Sequence, residues 1–237
     1  MRVGVYVDAF NLYYGGKSLC AGSNDWKWLD IRSLVADLVS QRRNWSGATV
    51  ERVVYCTARP GETTGTRARQ QAYFSALKAS GSVDEIVEGH YSVKASTALV
   101  TRGPRDPRPL NATADPLPDA DWVRLTNRNE LMVRYRKKEE KGSDVNIASH
   151  MLIDVYEARV DAVVVVSNDS DLGYPVEHLR QRVPVGVVNP RGNYTVLLGD
   201  AEEGVGRHWW ARLTCEHIRA HQMPDTVGGH TRPPEWR

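Results

Sequence analysis

Cysteine is scarce in this chain, and the three present, Cys20, Cys56 and Cys215, are far apart and odd in number. That pattern fits neither a disulfide framework nor the paired spacing of a zinc site, and leads us to expect reduced thiols in a cytoplasmic protein. His217 and His221 fall on one helical face near Cys215, but no second ligand pair accompanies them, so zinc is not expected. No run of 18 apolar residues occurs, and the N-terminus has no basic region leading into an apolar core; neither a membrane span nor a secretory signal is expected. A net charge of +2 is too small to imply polyanion binding by itself. The phosphate loop GxxxxGKS/T and the dinucleotide fingerprint GxGxxG are both absent, which argues against nucleotide binding by those routes.

What the chain does have is the balance of a globular protein, 41% hydrophobic and 25% charged over 237 residues. One α/β domain with insertions accounts for that length. Residues 3–7 (VGVYV) read as a short buried strand. Asp30 then caps a helix whose Ile31, Leu34, Val35, Leu38 and Val39 recur at helical spacing, and a strand at 51–57 completes a βαβ pattern. Helical composition at 67–79 and a strand at 84–91 follow. Prolines, glycines and arginines mark an irregular insertion over about 92–130, before a strand or hairpin arm at 131–136. Ser143 is placed to cap a helix with Val145, Ala148, Leu152, Val155 and Tyr156 on one face. The run 162–166 (AVVVV) is the clearest strand; a helix carrying Val176 and Leu179, a strand at 183–188 and a helix at 208–220 come after it. The domain is expected to span residues 1–222, with 223–237 a disordered tail.

Two apolar strands end in acids. The first runs into Asp8, with Asn11 one helical turn on; AVVVV runs into Ser167, Asn168, Asp169 and Asp171. In an open parallel sheet, such positions converge in the crevice beyond the carboxyl ends of the strands. Asp144, opening the helix that feeds the second strand, can enter the same crevice. Gathered carboxylates repel one another unless a cation neutralises them, and oxygen-only ligands select Mg²⁺ or Mn²⁺. Taken singly, each acid has an ordinary structural reading: Asp8 a turn former or helix cap, Asp144 a charge favouring a helix dipole, Asp169 and Asp171 turn chemistry.

The blocks YVDAFNLYY and KGSDVNIASHMLIDVYEARVDAVVVVSNDSDLGYPVEHLRQRVPVGVV, in that order, resemble the NYN domain family, a branch of the PIN-like nucleases. The resemblance implies a PIN-like parallel sheet flanked by helices on both faces, with the irregular insertion lying before the KGSD block. It also implies a Mg²⁺- or Mn²⁺-dependent ribonuclease site. By position, Asp8, Asp144, Asp169 and Asp171 are the acids that hold metal and carry catalysis, and Asn11 is the family's asparagine. Asn11, Ser167, Asn168 and Lys141 are read as substrate contacts. Many members carry Asp where this chain has His150; either Asp154 substitutes or the site runs on fewer carboxylates.

From Arg59 to Lys141 there are 15 Lys and Arg against 11 Asp and Glu. Arg59, Arg67, Arg69, Arg102, Arg105, Arg108 and the cluster from Arg134 to Lys138 are candidates for an RNA path, although charge runs are usually solvated surface. Tyr13, Tyr14, Trp26 and Trp28 are candidates either for stacking on unpaired bases or for the core. The leading expectation is hydrolysis of RNA, single-stranded RNA included, with DNA open as a substrate and a homo-oligomer permitted. The alternatives are a catalytically silent RNA-binding or scaffold module of the same fold, and a phosphoacceptor domain. The latter would be about half this length and needs a lysine where Asn189 and Pro190 stand.

Overall fold

The computed structural model of the chain describes residues 1–58, 64–103, 105–109, 123–199 and 202–237. Arg59 and residues 110–122 of the insertion lie outside these described residues. In chain order the elements are β1 (Arg2–Asp8), α1 (Ala9–Leu19), α2 (Ile31–Ser40), β2 (Thr49–Ala58), α3 (Thr64–Ala79) and β3 (Glu85–Leu99). The strands β4 (Thr101–Gly103), β5 (Asp106–Pro109), β6 (Val123–Leu125) and β7 (Leu131–Lys141) follow. Then come α4 (Ser143–Tyr156), β8 (Ala162–Val166), α5 (Gly173–Arg180), β9 (Val185–Asn189) and β10 (Trp209–Arg212), and finally α6 (Cys215–Ala220), β11 (Thr226–Val227) and β12 (His230–Thr231).

Contacts divide the chain into two compact units, Met1–His90 with Lys141–Arg237, and Tyr91–Glu140. In the first, the strand order is β10-β9-β8-β1-β2-β3 and every pairing is parallel. Val3, Val5 and Val7 face a core built with α1, α2 and α3, while Tyr6 on the other face meets Ile147 and Met151 of α4 and Val176 and Leu179 of α5. This is the α/β sheet covered by helices on both faces that the buried, non-alternating strands require. The chain winds outward from β1 through β2 and β3, then returns to the other side of β1 with β8, so strand order reverses between β1 and β8. In the second unit the insertion is more regular than expected: β6 pairs antiparallel with β7, and β4 with β5.

Three expectations are corrected here. Cys20 and Cys215 are disulfide-bonded, with Cα atoms 5.2 Å apart across a sequence separation of 195; only Cys56 is a free thiol. The two meet because α6 packs on α1, a proximity that spacing along the chain does not encode. The expected helix at 208–220 is instead β10 followed by the shorter α6, because Trp209 pairs with Gly186 and a Cβ on Gly186 would lie 2.3 Å from its indole. Residues 223–237 are a folded closing segment rather than a disordered tail. Met223 is buried, β11 pairs with β12, and Trp236 packs 6.2 Å from both Trp28 and Tyr73, giving a stretch without periodicity a fixed place. Among the described residues, no helix is long and apolar enough to cross a membrane.

Cys20→Ser, or reduction of the wild type, should lower unfolding free energy by about 2–5 kcal/mol, since the bridge restrains a long loop in the unfolded chain. Urea melts with and without reductant check this; an unchanged midpoint would mean the bridge is not formed in solution.

Candidate metal centre

The expected acids reach one edge by three local devices. Asp8 ends β1 on the α4 side of the sheet and also caps α1, its Oδ1 accepting the Asn11 backbone N–H at 2.9 Å. The reading of Asp8 as a helix cap therefore holds. Asp169 follows β8 and caps the short turn Ser170–Leu172, accepting the Asp171 N–H at 3.0 Å. Asp144 lies in the first turn of α4, which opens after Gly142 at φ 101°, a left-handed conformation suited to glycine. Asp8, Asp144 and Asp169 each bring a carboxylate oxygen within 4.8 Å of the other two.

Ser167, fully buried, ties two of these acids together. Its hydroxyl donates to Asp8 Oδ2 at 3.0 Å and accepts the Asp169 N–H at 3.0 Å. Its one proton, read from the sequence as a phosphate donor, is thus given to a carboxylate. Asn168 is 9% exposed; Thr195 Oγ1 donates to its Oδ1 at 2.7 Å and its Nδ2 donates to Asn193 Oδ1 at 3.5 Å. Asn11 is buried, and its Oδ1 accepts Arg191 Nε at 3.3 Å. Lys141 is exposed at the end of β7. Asp171 is exposed and stands outside the cluster of three. Asp154 does not replace the acid absent at His150: it is buried beneath Tyr6, Arg52 and Arg159, each donating to its carboxylate. Arg191 was not foreseen; the signal was an arginine just past the end of β9, a third parallel strand aimed at the same edge.

Burial raises the Asp8 pKa and the charge of Asp169 raises it further, opposed by the hydrogen bonds from Asn11, Ser167 and the Phe10 N–H. Among the described residues, no Lys or Arg forms a salt bridge with Asp8. A buried carboxylate without a cationic side chain, beside two other acids, is a donor set that fits a hard divalent ion. The buried Cys56 thiol is pushed up to about 12 by burial and by the charges of Asp8, Glu85 and Asp144, so it is no thiolate nucleophile. The histidines near Cys215 are also spent: His217 completes a capping box with Thr214, and His221 Nδ1 bonds the His217 carbonyl at 2.8 Å.

Because the Asp8 pKa is raised, its ionised form costs the ion-free fold stability as pH rises through that value, and protons compete with a metal below it. Saturating Mn²⁺ should therefore raise the Tm by roughly 5–10 °C at neutral pH, less in acid, and EDTA should reverse it. Differential scanning fluorimetry of wild type and Asp8→Asn checks this; an equal rise in the variant would place the ion elsewhere.

The NYN domain family model matches residues 2–193. The 6-hydroxy-3-succinoylpyridine 3-monooxygenase HspA of Pseudomonas putida (strain DSM 28022 / S16) is 27% identical over 272 residues, a match spanning 100% of this chain and 75% of that protein. A protein of unknown function from Vibrio parahaemolyticus RIMD 2210633, known from its crystal structure, aligns at 16% identity with a TM-score of 0.46, covering 89% of this chain and 91% of that one.

Proposed function

The chain belongs to the NYN domain family, whose fold is nuclease-like, and on that premise we propose that it is a divalent-metal-dependent ribonuclease using water as the nucleophile. The observation that carries the proposal is the convergence of Asp8, Asp144 and Asp169 within 4.8 Å at the reversal of strand order. These three would hold Mg²⁺ or Mn²⁺, which when bound supplies Lewis acidity at a phosphodiester and a lowered pKa for water. The protein's own part is orientation. Ser167 fixes Asp8 and Asp169 relative to each other, and the start of α1 fixes Asp8 a second time. In this reading Asp171, exposed two residues beyond Asp169, accepts a proton from the attacking water, and Lys141 offsets substrate charge.

Purified protein incubated with labelled RNA and DNA, with Mn²⁺ and with EDTA, tests the proposal: metal-dependent RNA cleavage supports it. Binding without cleavage in either metal favours the silent RNA-binding module. A second reading follows from the likeness, over this whole chain and 75% of that protein, to a monooxygenase. Such a reaction inserts one atom of O₂ into its substrate and reduces the other to water with two electrons from an external reductant. Turnover of 6-hydroxy-3-succinoylpyridine with O₂ and an added two-electron reductant, in place of RNA cleavage, would support it.

A further inference from the structure

The segment after β9 is fastened to the acid edge more firmly than a connecting loop requires. Asn189, nearly fully buried, accepts the Arg191 N–H at 2.7 Å through Oδ1 and donates to the Asn193 carbonyl at 2.9 Å through Nδ2. Thr195 Oγ1 reaches both Asn168 Oδ1 at 2.7 Å and the Asn168 carbonyl at 3.1 Å, immediately before Asp169. On the other side Pro190 lies against α1 so closely that a Cβ on Gly15 would be 2.2 Å from its carbonyl oxygen.

This framing holds one cation. Arg191 donates Nε to Asn11 Oδ1, and Asn11 in turn gives its backbone N–H to Asp8. The guanidinium carbon lies over the Tyr14 ring, 5.9 Å from its centroid, and Tyr14 is 50% exposed. Among the described residues Arg191 makes no salt bridge, so the fork of its two Nη groups is left for a ligand. A guanidinium offering bidentate donors beside an open aromatic face suits one nucleotide: phosphate on the arginine, base on the ring. A base within a duplex is already stacked on both faces and cannot use Tyr14.

We propose that Arg191 and Tyr14 form a nucleotide subsite beside the acid cluster that selects single-stranded RNA. The assignment rests on the nuclease reading for its substrate class, and its test is separable from that reading. Anisotropy of labelled oligouridine, with the full chain in Ca²⁺ at several salt concentrations, gives the affinity and its salt slope. Arg191→Gln should weaken binding about tenfold and lower the slope by about one phosphate contact. Tyr14→Leu should weaken oligouridine about tenfold and leave an oligouridine–oligoadenosine duplex unchanged. Both variants should keep the Mn²⁺-induced rise in Tm, which a merely structural defect would lose. Unchanged oligouridine affinity in either variant, equal weakening on duplex and single strand for Tyr14→Leu, or no binding by wild type would overturn the subsite. Wild-type cleavage with unaffected variants would remove the subsite and leave the nuclease; variant-sensitive binding without cleavage in Mn²⁺ would do the reverse.

Discussion

Asp144→Asn and Asp169→Asn should each reduce Mn²⁺-dependent RNA cleavage on the order of a thousandfold, with the circular dichroism spectrum and ion-free Tm near wild type. Each change keeps the side chain's volume and removes one negative oxygen from a cluster whose members lie within 4.8 Å of one another. Without metal the loss of one charge relieves repulsion, so the ion-free fold should not weaken. Ser167→Ala is the graded comparison. It leaves all three carboxylates but frees Asp8 Oδ2 and the Asp169 N–H from their shared partner, and a drop of about 10–100-fold is expected. Single-turnover cleavage measured against Mn²⁺ concentration separates lost affinity from lost chemistry. Full activity in Asp144→Asn would remove that residue from the reaction.

A large stability loss should come from a different aspartate. Asp154 is fully buried and accepts Tyr6 Oη at 2.9 Å, Arg52 Nε at 2.8 Å and Arg159 Nη1 at 3.1 Å. Asp154→Ala would leave the Tyr6 hydroxyl without its acceptor and Arg52 with Glu85 as its remaining acid, at a cost of about 3 kcal/mol. For a chain of this size that is roughly a 10 °C fall in Tm. Arg159→Ala removes a half-exposed partner and should cost less than about 1 kcal/mol. Thermal melts of the two variants decide it; similar small shifts would mean the network contributes little beyond packing.

The sequence disclosed what depends on local pattern. Consecutive apolar residues marked β1, β8 and β9, Asp30 marked the start of α2, where it accepts the Ser33 N–H, and acids placed after strands marked the edge where they meet. What it concealed depends on which distant surfaces touch. The face of α4 is the clearest case: Val145 was expected in the core and is 68% exposed, whereas Ser143, Ile147, Met151 and Asp154 are the buried set. A charged residue at the inward position broke the apolar pattern, and only the arginines and tyrosine around Asp154 make that position tenable. Arg191 was hidden for a similar reason, since its relation to Asn11 spans 180 residues. Trp236 was passed over because a single aromatic in a Pro- and Gly-rich stretch has no period to announce it.

The Cys20–Cys215 bond gives the chain an unusual covalent topology. Every element from α2 to β10, and the whole compact unit Tyr91–Glu140, lies between the two joined positions. In the oxidised molecule residues 20–215 form a covalently closed ring, so one backbone cut anywhere in that span opens the ring without separating the pieces. A protease that nicks the insertion once therefore leaves two pieces that stay covalently joined until a reductant cleaves the bond.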